Sequence, residues 1–233
     1  MRVHWLQHAA EDGLGCIAPW LAQRGHRVTH TAMFRGDPLP PRDDFDALLI
    51  MGGSMNVDQE AQYPWLRDEK RFIADVLADA GKRVFGICLG AQLIAEQCGA
   101  WVGRNAQPEV GWWDIELTDA GCAFAPMADW PARVPMFHWH GDTFELPPGA
   151  QRLAFSQACA QQAFVLDQGR VLAVQFHPEV TSDSVRVWLQ HPDSHPSPGP
   201  FVQSVERMRD DEAGFARANQ LLHSLLDRWL VSA

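Results

Sequence analysis

Two short apolar segments, each ending at a glycine-containing turn, constrain the fold of this sequence more than any other feature. Residues 45–51 read FDALLIM and run into Gly52 and Gly53, and residues 83–87 read RVFGI. Runs this short and this apolar are typical of parallel strands that are buried on both faces of a sheet. Residues 64–80, between them, have helical spacing. Strand, helix and strand in this order predict a right-handed crossover within one sheet.

The same alternation extends in both directions along the chain. Residues 3–7 and 26–31 are predicted strands, with a predicted helix at 14–24 between them, and another predicted helix at 89–98 follows the second apolar segment. We therefore expect an α/β fold with a mostly parallel central sheet and helices on both faces.

In the second half of the chain, the alternation of strands and helices gives way to short strand-like runs. Short strand-like runs occur at 113–117 and 134–139, and two more, at 163–167 and 171–176, are close enough to form a hairpin. These runs predict a small antiparallel element beside the parallel sheet. A helix is predicted at 211–230.

Composition narrows the class of protein. The 233 residues, 46% of them hydrophobic, fit a single domain spanning 1–233. A net charge of -10 argues against binding to nucleic acid or to an anionic membrane surface. No apolar run approaches the ~20 residues that span a bilayer, and no signal peptide is apparent. Five cysteines without CxxC spacing favour a reducing, cytoplasmic location.

Cys88 is the first candidate for chemistry. It lies in the segment GICLG, between a predicted strand and a predicted helix, which is the pattern of a nucleophile elbow. The glycines allow the tight turn, and the positive end of the helix dipole favours a thiolate, the reactive form of cysteine. The alternative is a small, buried and inert cysteine.

His177 and Glu179 are candidates for the base and for the group that orients it. They belong to the segment QFHPE, which follows an apolar strand. Side chains two residues apart in extended chain share a side, so the carboxylate can bind one imidazole nitrogen. Pro178 stiffens the spacing. The alternative is a solvated strand end, but the GICLG segment upstream favours the catalytic interpretation.

An acyl-transfer site also needs donors for an oxyanion. The backbone N–H of Leu89, directly after Cys88, is one candidate. The turn Gly52-Gly53-Ser54 ends the other apolar strand, and its amides are candidates for the second. The alternatives are an ordinary glycine turn or a phosphate loop, which is disfavoured because no Gly-Lys-Ser/Thr follows.

These three motifs resemble those of class I glutamine amidotransferases. GICLGAQ, QFHPE and the apolar strand with paired glycines occur in the same order as in that family, over residues 45–180. The pattern is most similar to the amidotransferase domain of GMP synthetase and to its stand-alone relatives. The resemblance implies the flavodoxin-like fold of these amidotransferases.

The resemblance also implies a reaction. Cys88 would attack the side-chain amide of glutamine and release ammonia, and water would then hydrolyse the γ-glutamyl thioester. His177 would act as base and then as acid, with Glu179 as its orienter. The amides of Gly53 and Leu89 would form the oxyanion hole.

The resemblance further implies where the substrate binds. Gln92 matches a family position that contacts the substrate glutamine. The segment of His140, Gly141 and Asp142 resembles the stretch whose backbone holds the α-amino and α-carboxylate groups of the substrate.

Two departures from the family pattern leave the physiological reaction open. Ser54 stands where many relatives have proline, and nothing in the sequence resembles an ATP pyrophosphatase or another acceptor domain. Ammonia would therefore pass to a synthetase partner in trans, or the protein would hydrolyse a γ-glutamyl peptide by itself. A silent regulatory module is a third alternative, against which the intact motifs weigh.

The remaining signals are weak. His138 and His140 have strand spacing and could ligate a metal, but we see no further ligand cluster and expect neither a metal nor another cofactor. Residues 67–71 are interpreted as a solvated helix face. The loop at 191–200 is either a flexible excursion or an element that faces a partner.

Overall fold

The computed structural model describes residues 1–190, 197–209 and 211–230. Within them, one sheet of nine strands forms the centre of the molecule. The strands are β1 (Arg2–Gln7), β2 (Arg27–Ala32), β3 (Ala47–Ile50), β4 (Arg83–Ile87), β5 (Val102–Leu117), β6 (Arg133–Phe144), β7 (Gln151–Ser156), β8 (Ala163–Leu166) and β9 (Val171–Val174).

Helices connect and cover these strands. The α-helices are α1 (Ile17–Gln23), α2 (Leu66–Leu77), α3 (Leu89–Gln97), α4 (Asp119–Ala123), α5 (Ser182–Leu189), α6 (Val205–Arg209) and α7 (Glu212–Trp229). Short 3-10 turns lie at Met33–Arg35, Arg42–Asp44, Ala125–Met127 and Asp167–Gly169. None of the described helices combines the length and the apolar character needed to cross a membrane.

The sheet is mixed, with the strand order β2-β1-β3-β4-β9-β8-β7-β5-β6. The first five strands pair in parallel, and every pairing from β9 to β6 is antiparallel. The expectation of a mostly parallel sheet with a small antiparallel element is therefore not confirmed. The short connection from β8 to β9 permits only an antiparallel pair, because a parallel pair needs a crossover of a dozen or more residues.

Side chains on the two faces of the sheet belong to two separate apolar cores. Leu49 of β3 packs in the core that includes Trp20 of α1 and Leu222 of α7. Its neighbours in β3 point the other way, into the core that includes Ile73 of α2 and Leu93 of α3. Helices thus cover both faces of the sheet, as the two-residue repeat of a strand requires for a doubly buried segment.

The structure differs most from the sequence-based elements where polar residues form strands. β5 extends to Val102 through a polar stretch that was not predicted, and β7 was missed altogether. Helix α1 begins later than predicted because Gly15 has a φ of 50°, which ends any helix before it. Of the loop predicted at 191–200, residues 197–200 contain no helix or strand, and 191–196 lie outside the described residues.

The turn after β4 is shaped by a close crossing of the chain. Cys88 has φ 52° and ψ −108°, and α3 begins at the next residue. A Cβ atom on Gly90 would lie 2.0 Å from the carbonyl oxygen of Ile50, and one on Gly86 would lie 2.6 Å from the carbonyl of Gly90. Only glycine fits at both positions, so the small residues around Cys88 are a steric requirement of the turn.

The variant Gly90→Ala should therefore be strongly destabilised, by about 3 kcal/mol or more, because its Cβ would overlap main-chain atoms of β3. Gly13→Ala is the matched control, since nothing lies within 4 Å of its Cβ position, and its free energy of unfolding should change by less than about 1 kcal/mol. Urea unfolding of both variants measures the difference. Equal stabilities would contradict the crossing.

Candidate active site

A cavity of about 760 Å³ opens at the carboxyl ends of the parallel strands. This edge is where open α/β sheets hold their ligands, because the loops there diverge. The cavity walls include residues that follow β3, β4 and β9, together with residues of β6, among them Gly53, Cys88, Trp139 and His177.

Cys88 is held at the floor of this cavity by both neighbouring strands. Its backbone N–H donates to the carbonyl of Val174 at the end of β9, at 2.8 Å. The next glycine, Gly90, donates to the carbonyl of Met51 after β3, at 3.2 Å. The Cys88 sulfur is 3.9 Å from the carbonyl oxygen of Trp139. At the N-terminus of α3, the helix dipole favours negative charge on this sulfur.

His177 and Glu179 form a buried pair beside Cys88. The Nδ1 atom of His177 lies 2.8 Å from Oε1 of Glu179. Because a carboxylate only accepts hydrogen bonds, Nδ1 carries the hydrogen and Nε2 is left for another partner. Among the described residues, Nε2 has no such partner. A Cβ on Gly52 would lie 3.1 Å from Cε1 of His177 and 3.6 Å from Cβ of Cys88, so base and nucleophile flank the same glycine.

Electrostatics favour a charged imidazole at His177. Burial disfavours the imidazolium, but the carboxylate of Glu179 and the sulfur of Cys88 outweigh this effect and hold the pKa of His177 well above its usual value. A proton on His177 opposite a negative sulfur is the arrangement that a cysteine nucleophile needs.

The backbone around Glu179 is fixed by two distant elements. Cys16 donates from its backbone N–H to the carbonyl of Glu179 at 2.8 Å, and Gly15 packs so closely that a Cβ there would lie 2.1 Å from that oxygen. Asn219 of α7 donates to the carbonyls of Pro178 and Val180 at 2.8 and 2.9 Å. The C-terminal helix therefore positions the carboxylate, a role that its sequence pattern did not reveal.

The two backbone amides predicted as oxyanion donors are brought together by the turns after β3 and β4. A Cβ on Gly53 would lie 2.9 Å from Cδ2 of Leu89, which places the two turns in contact. Within the described part of the chain, neither backbone N–H donates a hydrogen bond. Both are therefore available to a ligand.

A second buried pair, His8 and Glu69, stands behind the Gly52–Gly53 turn. Both side chains are fully buried, with Nε2 of His8 2.7 Å from Oε1 of Glu69 and Nδ1 2.8 Å from the carbonyl oxygen of Gly52. Burial opposes protonation of His8, but the charge and hydrogen bond of Glu69 raise its pKa. The sequence interpretation of 67–71 as a solvated face is wrong for Glu69. Its position three residues after the buried Leu66 was the available signal.

The residues predicted to bind substrate all line the cavity: Gln92, His140, Gly141 and Asp142. The side-chain amide of Gln92 donates to Oε1 of Gln175 at 3.0 Å. The carboxylate of Asp142 is 3.5 Å from the guanidinium of Arg104, which also lines the cavity.

The expectation that no third ligand accompanies the two histidines of β6 is wrong. Glu109 of β5 is paired directly with His140 in the sheet, and its carboxylate also approaches His138. The ligand atoms of the three side chains lie within 4.8 Å of one another. Burial lowers the pKa of His138 to about 4, so its imidazole is neutral.

Comparison with known proteins decides the family. The family model for class I glutamine amidotransferases matches residues 19–187. This chain belongs to the class I glutamine amidotransferases. The resemblance noted in the three motifs is thereby confirmed.

Two curated relatives illustrate the range of class I amidotransferases that this chain resembles. The glutamine amidotransferase-like protein YfeJ of Salmonella typhimurium is 32% identical over 97% of this chain and 96% of its own length. One subunit of the glutamine-hydrolysing GMP synthase of Thermoplasma volcanium is 33% identical over 59% of this chain and 64% of its own length.

Solved structures of class I amidotransferases agree with the fold. A glutamine amidotransferase from Methylobacillus flagellatus is 30% identical, with a TM-score of 0.89 over 98% of this chain and 94% of that chain. A glutamine amidotransferase from Thermotoga maritima is 27% identical, with a TM-score of 0.85 over 99% of this chain and 98% of that chain. The α/β architecture with its large mixed sheet is therefore that of the family.

We expect iodoacetamide to alkylate Cys88 of this amidotransferase before any other cysteine, because His177 and the helix terminus favour its thiolate. Burial raises the thiol pKa of three others: Cys16, Cys98 and Cys159. The exposed Cys122 is an internal control for simple accessibility.

Peptide mapping over time measures these rates. His177→Ala should slow the labelling of Cys88 at least about tenfold and leave Cys122 unchanged, because only Cys88 depends on that base. Faster labelling of any other cysteine in the unmodified protein would refute the assignment.

Proposed function

We propose that this protein hydrolyses the side-chain amide of glutamine, with Cys88 as nucleophile, His177 as acid and base, and Glu179 as orienter. One observation carries the proposal. Cys88, at positive φ and at the N-terminus of α3, lines the same cavity as His177. Nδ1 of His177 is bound by the buried carboxylate of Glu179. Covalent acyl transfer requires a nucleophile, a base beside it and a group that orients the base.

The reaction proceeds in two balanced steps. The Cys88 sulfur attacks the amide carbon, the oxyanion collapses, and the Nε2 proton of His177 leaves with ammonia. The product is a γ-glutamyl thioester and a neutral imidazole. That imidazole then takes a proton from water, the hydroxide attacks the thioester, and the sulfur leaves as thiolate, which restores the starting ion pair. The γ-carboxyl group formed passes its proton to ammonia or solvent and leaves as glutamate.

The backbone N–H groups of Gly53 and Leu89 are the proposed oxyanion donors. Their turns touch, and neither amide is used elsewhere in the described residues. A donor that is fixed before the reaction stabilises the oxyanion without reorganisation, and losing one costs roughly 100- to 1,000-fold in kcat in a comparable site.

His8 is the proposed positioning residue for the Gly53 donor. In a trans peptide, the carbonyl of Gly52 and the N–H of Gly53 point in opposite directions. Nδ1 of His8 holds that carbonyl at 2.8 Å, so the N–H must point away from His8. The hydrogen bond from Nδ1 of His8 to the Gly52 carbonyl also polarises the peptide and strengthens its N–H as a donor.

The cavity favours a second candidate substrate, a larger γ-glutamyl compound. Its volume of about 760 Å³ is within the range that encloses drug-sized ligands, so it admits more than a free amino acid. Arg104 and Asp142 at its wall suit the α-carboxylate and α-amino groups that glutamine and γ-glutamyl peptides share. A synthetase that receives ammonia in trans is the remaining alternative, since one relative belongs to a GMP synthase.

The purified protein should release glutamate from glutamine or from γ-glutamyl peptides, measured by a coupled glutamate assay. Cys88→Ala and His177→Ala should each lower kcat by roughly 1,000-fold or more, and Glu179→Gln should be milder by one to two orders of magnitude. The double variant Cys88→Ala/His177→Ala should be no worse than Cys88→Ala, because the residues act as a unit.

One result would reject this scheme, and another would decide how the ammonia is used. Full turnover in His177→Ala would exclude the proposed base. Turnover only after addition of a separate synthetase would support ammonia transfer in trans rather than free-standing hydrolysis. His30→Ala serves as the control, because this exposed histidine lies on the edge strand β2.

His8→Ala should lower kcat by about 10- to 100-fold with little change in KM, because the Gly53 donor loses its anchor. His8→Asn should restore much of the activity, since an asparagine amide can donate from nearly the same place as Nδ1. The rate of Cys88 alkylation, which forms no oxyanion, should be unchanged in both. A parallel loss of alkylation and turnover would indicate general disruption and contradict the positioning role.

A further inference from the structure

Three buried side chains outside the Cys88 chemistry converge between β5 and β6. Glu109 and His138 are fully buried and His140 is 4% exposed. Oε2 of Glu109 lies 3.1 Å from Nε2 of His140 and 3.6 Å from Nδ1 of His138. Side chains of these types rarely occupy an interior together unless a charge or a metal ion compensates them.

The outward nitrogens of both imidazoles are already committed to backbone carbonyls. Nε2 of His138 is 3.3 Å from the carbonyl oxygen of Trp113, and Nδ1 of His140 is 2.9 Å from that of Asp142. A carbonyl only accepts, so both of these nitrogens carry hydrogens. With one hydrogen on each ring, the inward nitrogens present lone pairs to the carboxylate. Histidines that ligate metals are oriented in this way by their other N–H.

Hydrogen bonds within the described residues leave this cluster incompletely satisfied. Nδ1 of His138 and Oε1 of Glu109 have no hydrogen-bond partner there. A single cation between Oε2 of Glu109 and the two inward nitrogens would take up the lone pair of Nδ1 of His138 together with that of Nε2 of His140.

The spacing fits a tetrahedral ion. Zinc binds imidazole nitrogen and carboxylate oxygen at about 2.0–2.2 Å, so two ligand atoms at tetrahedral positions are roughly 3.3–3.6 Å apart. The separations from Oε2 of Glu109 to the two nitrogens, 3.1 and 3.6 Å, lie close to this range, and all three ligand atoms lie within 4.8 Å of one another. Gln162 donates to Oε2 of Glu109 at 2.6 Å and so fixes the carboxylate, as is usual for a metal ligand.

We propose that Glu109, His138 and His140 form a binding site for one Zn²⁺ ion. Of the three residues, His140 lines the cavity, so the site lies directly behind the cavity wall. The ion would tie β5 to β6 directly beside Gly141 and Asp142, on the substrate wall of the cavity. It takes no part in the Cys88 chemistry, so this proposal does not depend on the proposed hydrolysis.

Metal binding is tested in the full-length Cys88→Ala protein, in which the active-site thiol cannot bind the ion. After chelation and desalting, the protein is titrated with Zn²⁺ and, separately, with Co²⁺. We expect one Zn²⁺ per chain by elemental analysis, a rise in Tm on adding Zn²⁺, and the visible absorption of tetrahedral Co²⁺ between N and O ligands.

Ligand variants locate the ion. Glu109→Gln and His138→Gln should each weaken Zn²⁺ binding by more than the roughly 10- to 100-fold that loss of an orienting partner costs. Gln162→Ala should weaken Zn²⁺ binding by roughly 10- to 100-fold only. Replacing the exposed His30 by alanine should leave Zn²⁺ binding unchanged. A folded parent protein that binds no Zn²⁺ and shows no Co²⁺ absorption would overturn the proposal, as would unchanged binding in both ligand variants. Near-ultraviolet circular dichroism checks that each protein is folded. If a ligand variant unfolds, the titration of the Cys88→Ala protein alone decides whether the Zn²⁺ site exists.

Discussion

The backbone of Cys88 is the constraint on which the rest of the site depends. A non-glycine residue at positive φ costs about 1–3 kcal/mol unless the surrounding structure enforces it. Here the enforcement comes from β3 and β9, through the amide of Cys88 on Val174 and the amide of Gly90 on Met51. The same two strands lead into the Gly52–Gly53 turn and into His177. The contacts that strain Cys88, the proposed nucleophile, therefore also set its distance from the proposed base and from the proposed oxyanion donors.

Elements whose information is local could be predicted from the sequence. Strand β4 has the predicted bounds, and His177 contacts Glu179 as predicted, although residues 178–179 form a turn rather than the expected extended chain. The extent of the antiparallel half could not be predicted, because β5 pairs with β6 through polar residues that show no alternation. β5 lies next to the edge strand β6 and pairs with β7 only over residues 115–117, and an antiparallel strand there can leave one face in water.

Contacts between distant segments explain what the sequence did not show. His8 and Glu69 are 61 residues apart, and Glu109 and His140 are 31 apart. Neither Glu69 nor Glu109 lies in a motif. Glu69 was interpreted as part of a solvated helix face, and Glu109 was not singled out. The order of strands in the sheet, and the packing of helix α2 against it, bring these acidic residues to their histidines. No periodicity in the sequence encodes that arrangement. Buried carboxylates opposite histidines were visible only once the topology was known.

Within the described residues, three buried carboxylates each face an imidazole: Glu179 faces His177, Glu69 faces His8, and Glu109 faces His140 and His138. Burying such a pair rarely adds stability, because desolvation offsets the attraction. Its benefit is a fixed position for the group that the imidazole contacts. For His8 that group is the Gly52 carbonyl, which is anchored through Glu69 to helix α2 of the same chain. Because contacts within the chain hold the Gly52 carbonyl, no partner is needed to fix the orientation of this peptide. We infer that the Gly52–Gly53 peptide has the same orientation in the isolated protein, which favours a free-standing hydrolase over one that a synthetase must activate.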